Sequence, residues 1–147
     1  MSELKIRAMR DEDLDRVVEL WIACGLTRPY NDPRRDIEKA RAKTSSEVLV
    51  GLEDKRIIAS VMVGHDGHRG VVYYVSADPE CQGKGIGRQI MTAAEDWLKQ
   101  QGIWKLNLMI RPDNVAVQSF YETLGYDVEE RTVMAKWIDP SMKPELK

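Results

Sequence analysis

At 147 residues, 43% of them apolar and 31% charged, the chain has the make-up of one globular domain, residues 1–147, with a single buried core. A net charge of −2 offers no broad basic face for nucleic acid, and no apolar run approaches the roughly 20 residues of a membrane span. The charged start from Met1 to Arg7 is unlike a signal peptide, and the two cysteines, Cys24 and Cys81, form no disulfide framework, so the expected compartment is the reduced cytoplasm.

In chain order, Leu4, Ile6 and Ala8 alternate with Lys5 and Arg7 and predict a first strand. Asp11 or Asp13 opens a helix with the stripe Leu14, Val17, Val18, Trp21 and Ile22, ending near Gly25. A loop from Thr27 leads to Asp32-Pro33, an N-cap and first helical residue for a charged helix reaching about Lys43. Strands follow over Glu47–Leu52 and Ile57–Gly64, joined by a tight turn at Asp54-Lys55. The polar turn His65–Gly70 leads into a third apolar strand, Val71–Ala77. A helix from Ile86 to about Gln101, a strand over Lys105–Arg111, a helix capped by Asn114, and one or two strands between Tyr126 and Ile138 complete the pattern. The tail after Pro144 is expected to fray. A strand–helix–strand unit across Val71–Arg111 implies two parallel strands, hence a mixed α/β sheet with helices on both faces.

Between Val71–Ala77 and the helix at Ile86 lies Cys81-Gln82-Gly83-Lys84-Gly85-Ile86-Gly87-Arg88. Strand, glycine loop and helix in that order present backbone N–H groups and a helix dipole to an anion, and glycine removes the Cβ that would block a phosphate. A dinucleotide fingerprint fails because its third glycine falls on Arg88, and no stretch satisfies the P-loop spacing.

What fits is Q/R-x-x-G-x-G/A, with Gln82, Gly85 and Gly87, which resembles the acyl-CoA loop of the GNAT (GCN5-related N-acetyltransferase) superfamily. A second stretch, Asn114 with Ser119-Phe120-Tyr121-Glu122-Thr123-Leu124-Gly125-Tyr126, is similar to that family's N-x-x-A-x-x-F-Y-E-K-L-G-F signature, with Val117 and Tyr126 as departures. The resemblance covers essentially the whole chain. It implies the GNAT fold, a mixed sheet of six to seven strands flanked by about four helices, and an acetyl-CoA cosubstrate without a metal. It also implies that Gln82, Gly83, Lys84, Gly85, Ile86, Gly87 and Arg88 hold the pyrophosphate. Asn114 and backbone groups of Val75, Ser76 and Ala77 then hold the pantetheine arm, which lies between the Val71–Ala77 and Lys105–Arg111 strands. Tyr121 is implied as the general acid that protonates the departing thiolate.

The glutamate base of histone-type relatives falls on Val71, which cannot serve. Tyr73, His68, Asp66, Glu47 or water remain as alternatives. Arg28 and Tyr30, with the His65–Gly70 turn, resemble a small bacterial branch, the YpeA-like proteins, and are candidate acceptor contacts alongside His68 and Tyr73. The expected function is transfer of an acetyl group to a primary amine, with a small molecule favoured as acceptor. A protein N-terminus or lysine as acceptor, and a non-catalytic CoA-binding module, are the competing readings. The expected partners are acetyl-CoA and the amine, and the sequence leaves open a homodimer.

Overall fold

The computed structural model describes residues 4–144. The elements are β1 (Lys5–Ala8), α1 (Leu14–Ala23), α2 (Pro33–Arg41), β2 (Ser46–Glu53), β3 (Arg56–His65), β4 (Gly70–Ala77), α3 (Ile86–Gln100), β5 (Leu106–Asn107) and α4 (Val115–Thr123). Two compact units divide between Leu108 and Met109, and each is taken by itself.

In the first unit the strands lie in the order β1-β2-β3-β4-β5, antiparallel as far as β4, with β5 parallel to β4. Asp54 and Lys55 both have positive φ, 49° and 70°, which gives the two-residue turn the twist that a hairpin needs. A short 3₁₀ turn, Asp11–Asp13, precedes α1, and Arg7 on β1 grips the buried Asp13 carboxylate at 2.6 Å. Asp32 caps α2 as expected, accepting from the N–H groups of Arg34 and Arg35 at 3.0 and 3.3 Å.

One core lies between α1, α2 and the sheet, with Val17, Leu20, Trp21 and Ile37 meeting Val48 and Val50. Ile22, placed in the apolar stripe by spacing, is instead exposed, because the helix turns that position outward next to its C-terminus. On α3 the buried residues Ile86, Ile90, Met91, Ala94 and Leu98 recur at helical spacing. This helix packs so close to β4 that a Cβ on Gly70 would stand 2.5 Å from Leu98 Cδ1.

Directly after β4 comes Asp78, whose buried carboxylate is the meeting point of three segments. Arg16 of α1 donates from Nη2 to Oδ2 at 2.9 Å, Arg56 of β3 does so at 3.2 Å, and the Glu80 N–H donates to Oδ1 at 3.0 Å. Arg16 also donates from Nε to the Ile57 carbonyl at 3.0 Å. The Glu80 N–H first, and the Arg16 and Arg56 guanidiniums with it, hold the Asp78 carboxyl below the usual carboxylate range.

The second unit holds α4 and a 3₁₀ turn, Pro140–Met142. Asn114 caps α4, its Oδ1 accepting from the Val117 N–H at 3.3 Å, and Gly125 at φ 94° ends the helix.

Two expectations about strands are corrected. The Lys105–Arg111 strand is reduced to Leu106–Asn107, since β4 pairs with it only at Gly70 and Val71. No strand forms over Tyr126–Ile138 among the described residues; within the second unit α4 is the only other long element, so a ladder has no partner there. The sheet therefore has five strands rather than six or seven. α2 stops at Arg41, and the frayed tail expected beyond Pro144 falls on residues outside those described.

Replacing Gly70 by alanine should destabilise the protein by about 1–3 kcal/mol, the usual cost of overpacking, measured by urea unfolding. Asp78→Asn should destabilise most at neutral pH. A depressed carboxyl contributes stability that is present above its unfolded value and is lost as pH falls through its folded value. The gap between wild type and Asp78→Asn should therefore narrow below about pH 4, the unfolded carboxyl value.

Candidate active site

The last turn of β4 is irregular. Ser76 pairs with Ser60 and Tyr73 with Met62, so Tyr74 and Val75 together face the single residue Val61. This is a two-for-one bulge. Tyr74 makes the extra residue fit with φ 55°, a left-handed conformation that costs an aromatic residue about 1–3 kcal/mol. Its ring stacks on Trp21 at a centroid distance of 3.9 Å and an interplanar angle of 1°, and its hydroxyl donates to Asp36 Oδ2 on α2 at 2.7 Å. Below it, Trp21 Nε1–H donates to Ser60 Oγ at 2.7 Å, and Ser60 and Ser76 share a hydroxyl–hydroxyl bond of 2.7 Å.

The three backbone positions expected on this strand are not equivalent. Ser76 is engaged in the pairing with Ser60, and the Ala77 carbonyl accepts the Cys24 thiol at 3.2 Å. Burial pushes the Cys24 thiol up, so it stays protonated and acts as a donor. Val75 is the one of the three that the bulge takes out of the β3 register. On the other side, β5 pairs with Gly70 and Val71 alone, so among the described residues the outer edge of β4 from Val72 onward carries no strand.

From Ala77 the chain passes Asp78, a 3₁₀ turn (Pro79–Cys81) and Gln82 into the glycine loop. Gln82, Gly83, Lys84 and Gly85 are exposed, and Gly83 and Gly85 take φ 84° and 73°, values that a side chain would resist. Gly85 is the N-cap of α3. It supplies no side-chain cap, and the first turn of α3 contains no acidic residue. A 15-residue helix thus directs its positive end and its Ile86 and Gly87 N–H groups at the loop without a side chain to neutralise them. Arg88 adds a cation in the same turn. Cys81 is buried at the base of the loop.

In the second unit, Tyr121 is buried, with edge-on contacts to Phe120 at 5.1 Å and Tyr126 at 5.6 Å between centroids. Burial pushes its hydroxyl above the ordinary phenol value, so it carries its proton throughout the neutral range. Asn114, seven positions earlier, spends its side-chain oxygen on the helix cap.

The acceptor candidates are scattered. Arg28 donates from Nη1 to the carbonyls of Gly25 and Thr27 at 2.8 and 2.9 Å, so it ties down the loop after α1. With Ile22, Thr27, Pro29, Asn31, Asp32 and Pro33 it lines an open depression of about 540 Å³. Tyr30 is exposed beside that lining. Tyr73 is half exposed, one residue before the bulge. His68 lies in the β3–β4 turn, beyond Gly70, which is itself five residues or roughly 16 Å of strand from Val75. Asp66 Oδ1 accepts the N–H groups of His68 and Arg69, both at 2.8 Å, and these bonds hold its carboxyl below the usual range. Glu47 accepts the Val48 N–H at 2.9 Å. The structure gathers the loop and the β4 bulge at one end of β4 and leaves His68 and Asp66 at the other.

Sequence reasoning passed over Tyr74, Asp36 and the Arg16–Asp78–Arg56 group. Only the Asp78-Pro79 pair carried a signal, as the punctuation at the end of a strand.

Residues 9–126 match the model of the Acetyltransferase (GNAT) family. An acetyltransferase of Sodalis glossinidius is 38% identical over 131 residues, which are 89% of this chain and 92% of that protein. Among solved structures, AAC(6′)-Iy in complex with a bisubstrate analogue, CoA-S-monomethyl-acetylneamine, is similar with a TM-score of 0.79 at 18% identity, over 92% of this chain and 99% of that one. Glucosamine-6-phosphate N-acetyltransferase from Arabidopsis thaliana gives 0.72 at 23% identity, over 94% and 100%. At those identities the two structures establish the fold alone, and it is the family match with the Sodalis relative that shows what this chain is: a member of the Acetyltransferase (GNAT) family.

Proposed function

We propose that this acyltransferase moves an acetyl group from acetyl-CoA to the primary amine of a small molecule by direct attack. The observation that carries the reading is the run of open backbone at one end of β4. The edge at Val75 passes within a few residues into an exposed glycine loop at the uncapped start of α3. Gln82 to Arg88 receive the pyrophosphate on N–H groups and the helix dipole. The backbone at Val75, flanked by Ser76 and Ala77, receives the pantetheine arm and faces the thioester carbonyl.

The amine nitrogen attacks the thioester carbon, the carbon–sulfur bond breaks, and the sulfur takes a proton from the Tyr121 hydroxyl. At neutral pH that hydroxyl carries the proton the role requires, while burial makes it a weaker acid than a free phenol. The amine gives its proton to water, and water returns one to the Tyr121 oxygen. The engagement of Asp66 with its own turn and of Glu47 with Val48 supports a reaction without a carboxylate base.

For the acceptor, the depression of about 540 Å³ beside α1 and α2 is of a size that suits a small molecule. Arg28 shapes it by holding the loop. Tyr73 is the member of the acceptor set nearest the bulge, with Tyr30 as an outer contact, and His68, at the far end of β4, is left out of the proposed site.

Calorimetry with acetyl-CoA should show binding to the wild type and none to Gly85→Val, whose side chain meets both a positive φ and the phosphate approach. Lys84→Ala should lose little, as its charge is solvent-screened. Unaltered binding by a folded Gly85→Val would refute the loop assignment. Tyr121→Phe should bind acetyl-CoA normally and lose about 10²–10⁴-fold in turnover, read as free thiol released with a panel of primary amines. Turnover within about threefold of wild type would mean that thiolate departure is not assisted or that product release limits the rate.

A further inference from the structure

We infer that Tyr74 is a positioning residue for the acyl-CoA site, holding the β4 bulge open through its ring on Trp21 and its hydroxyl on Asp36. The inference rests on the reading that the β4 edge takes the pantetheine arm.

An aromatic side chain at φ 55° in mid-strand needs an outside force to keep it there. Without one, a β-propensive residue such as tyrosine relaxes into the extended region, and β4 slips into continuous register with β3. Val75 would then pair with Val61 and lose its place outside the ladder. Two contacts on Tyr74 oppose the slip, and they come from two different elements. Trp21 of α1 supplies a parallel stacking surface at 3.9 Å. Asp36 of α2 accepts the hydroxyl at 2.7 Å. Ser60 of β3, bonded to both Trp21 Nε1 and Ser76 Oγ, holds the stacking indole in place.

The arrangement couples two functions that are distant in sequence. α2 follows the loop that lines the acceptor depression, and its Asp36 is also the anchor of the bulge. A shift of α2 is therefore passed to the backbone at Val75 through one side chain.

The test separates the two halves of the ligand. Acetyl-CoA reaches both the glycine loop and the β4 edge, whereas its nucleotide half, 3′-phospho-ADP, reaches the loop alone. Tyr74→Phe keeps the stack and removes only the hydroxyl. It should weaken acetyl-CoA about fivefold, the net worth of one hydrogen bond, and leave 3′-phospho-ADP unchanged in calorimetry. Asp36→Ala should do the same, and the double variant should lose no more than either single one, since one bond is removed in all three. Thermal melts run in parallel confirm that each variant is folded. Equal weakening of both ligands, or none, would overturn the role of Tyr74. Failure of wild type to bind either ligand would instead overturn the reading of the site on which it stands.

Discussion

One backbone irregularity organises this protein: two residues of β4, Tyr74 and Val75, fill the space opposite a single residue of β3. A regular strand would direct its hydrogen-bonding groups into the neighbouring ladders and keep none for a ligand. The bulge breaks that rule at one place, and among the described residues no strand pairs with the same stretch on the other side. The cost of the left-handed tyrosine is met by burial and by polar contacts that do not touch the edge itself. Function and strain are thus separated, with side chains facing α1 and α2 holding the backbone so that the backbone can bind.

The end of β4 carries the second constraint. The chain must leave the sheet and enter α3 with its glycine loop open. Asp78 fixes the point of departure by gathering Arg16 and Arg56 and capping the 3₁₀ turn. Beyond it the loop has no side-chain cap and no acidic residue in the first helical turn, so the positive end of α3 is left for an anion. Binding by backbone groups makes the identity of most loop side chains unimportant. The acid proposed for the reaction is Tyr121, in the second unit, whose hydroxyl burial pushes above the ordinary phenol value.

Much of this was legible in the sequence where the cause is local. The glycine spacing from Gln82 to Gly87, the Asp32-Pro33 start of α2, the Asp54-Lys55 turn and the Asn114 cap each depend on a few neighbouring residues, and each forms as expected. The parallel β4–β5 pair followed from the strand–helix–strand order. What was not legible depends on partners far along the chain. Nothing near Tyr74 in the sequence announces a positive φ; that conformation is imposed by Trp21 and Asp36, 53 and 38 residues away. Lys105–Arg111 and Tyr126–Ile138 read as strands from their apolar residues, but such a reading shows only that a segment is suited to a ladder, not that a partner lies beside it. Arg28 reads as a contact for the acceptor, and the structure uses its Nη1 on two carbonyls of its own loop.

The most direct test of the central claim is an amide-resolved titration of the isotope-labelled protein with acetyl-CoA, followed by NMR. The account predicts the largest shifts at Val75 and from Gly83 to Arg88, with little change in the His65–Gly70 turn. Saturable shifts confined to other surfaces, or none at millimolar acetyl-CoA, would contradict it.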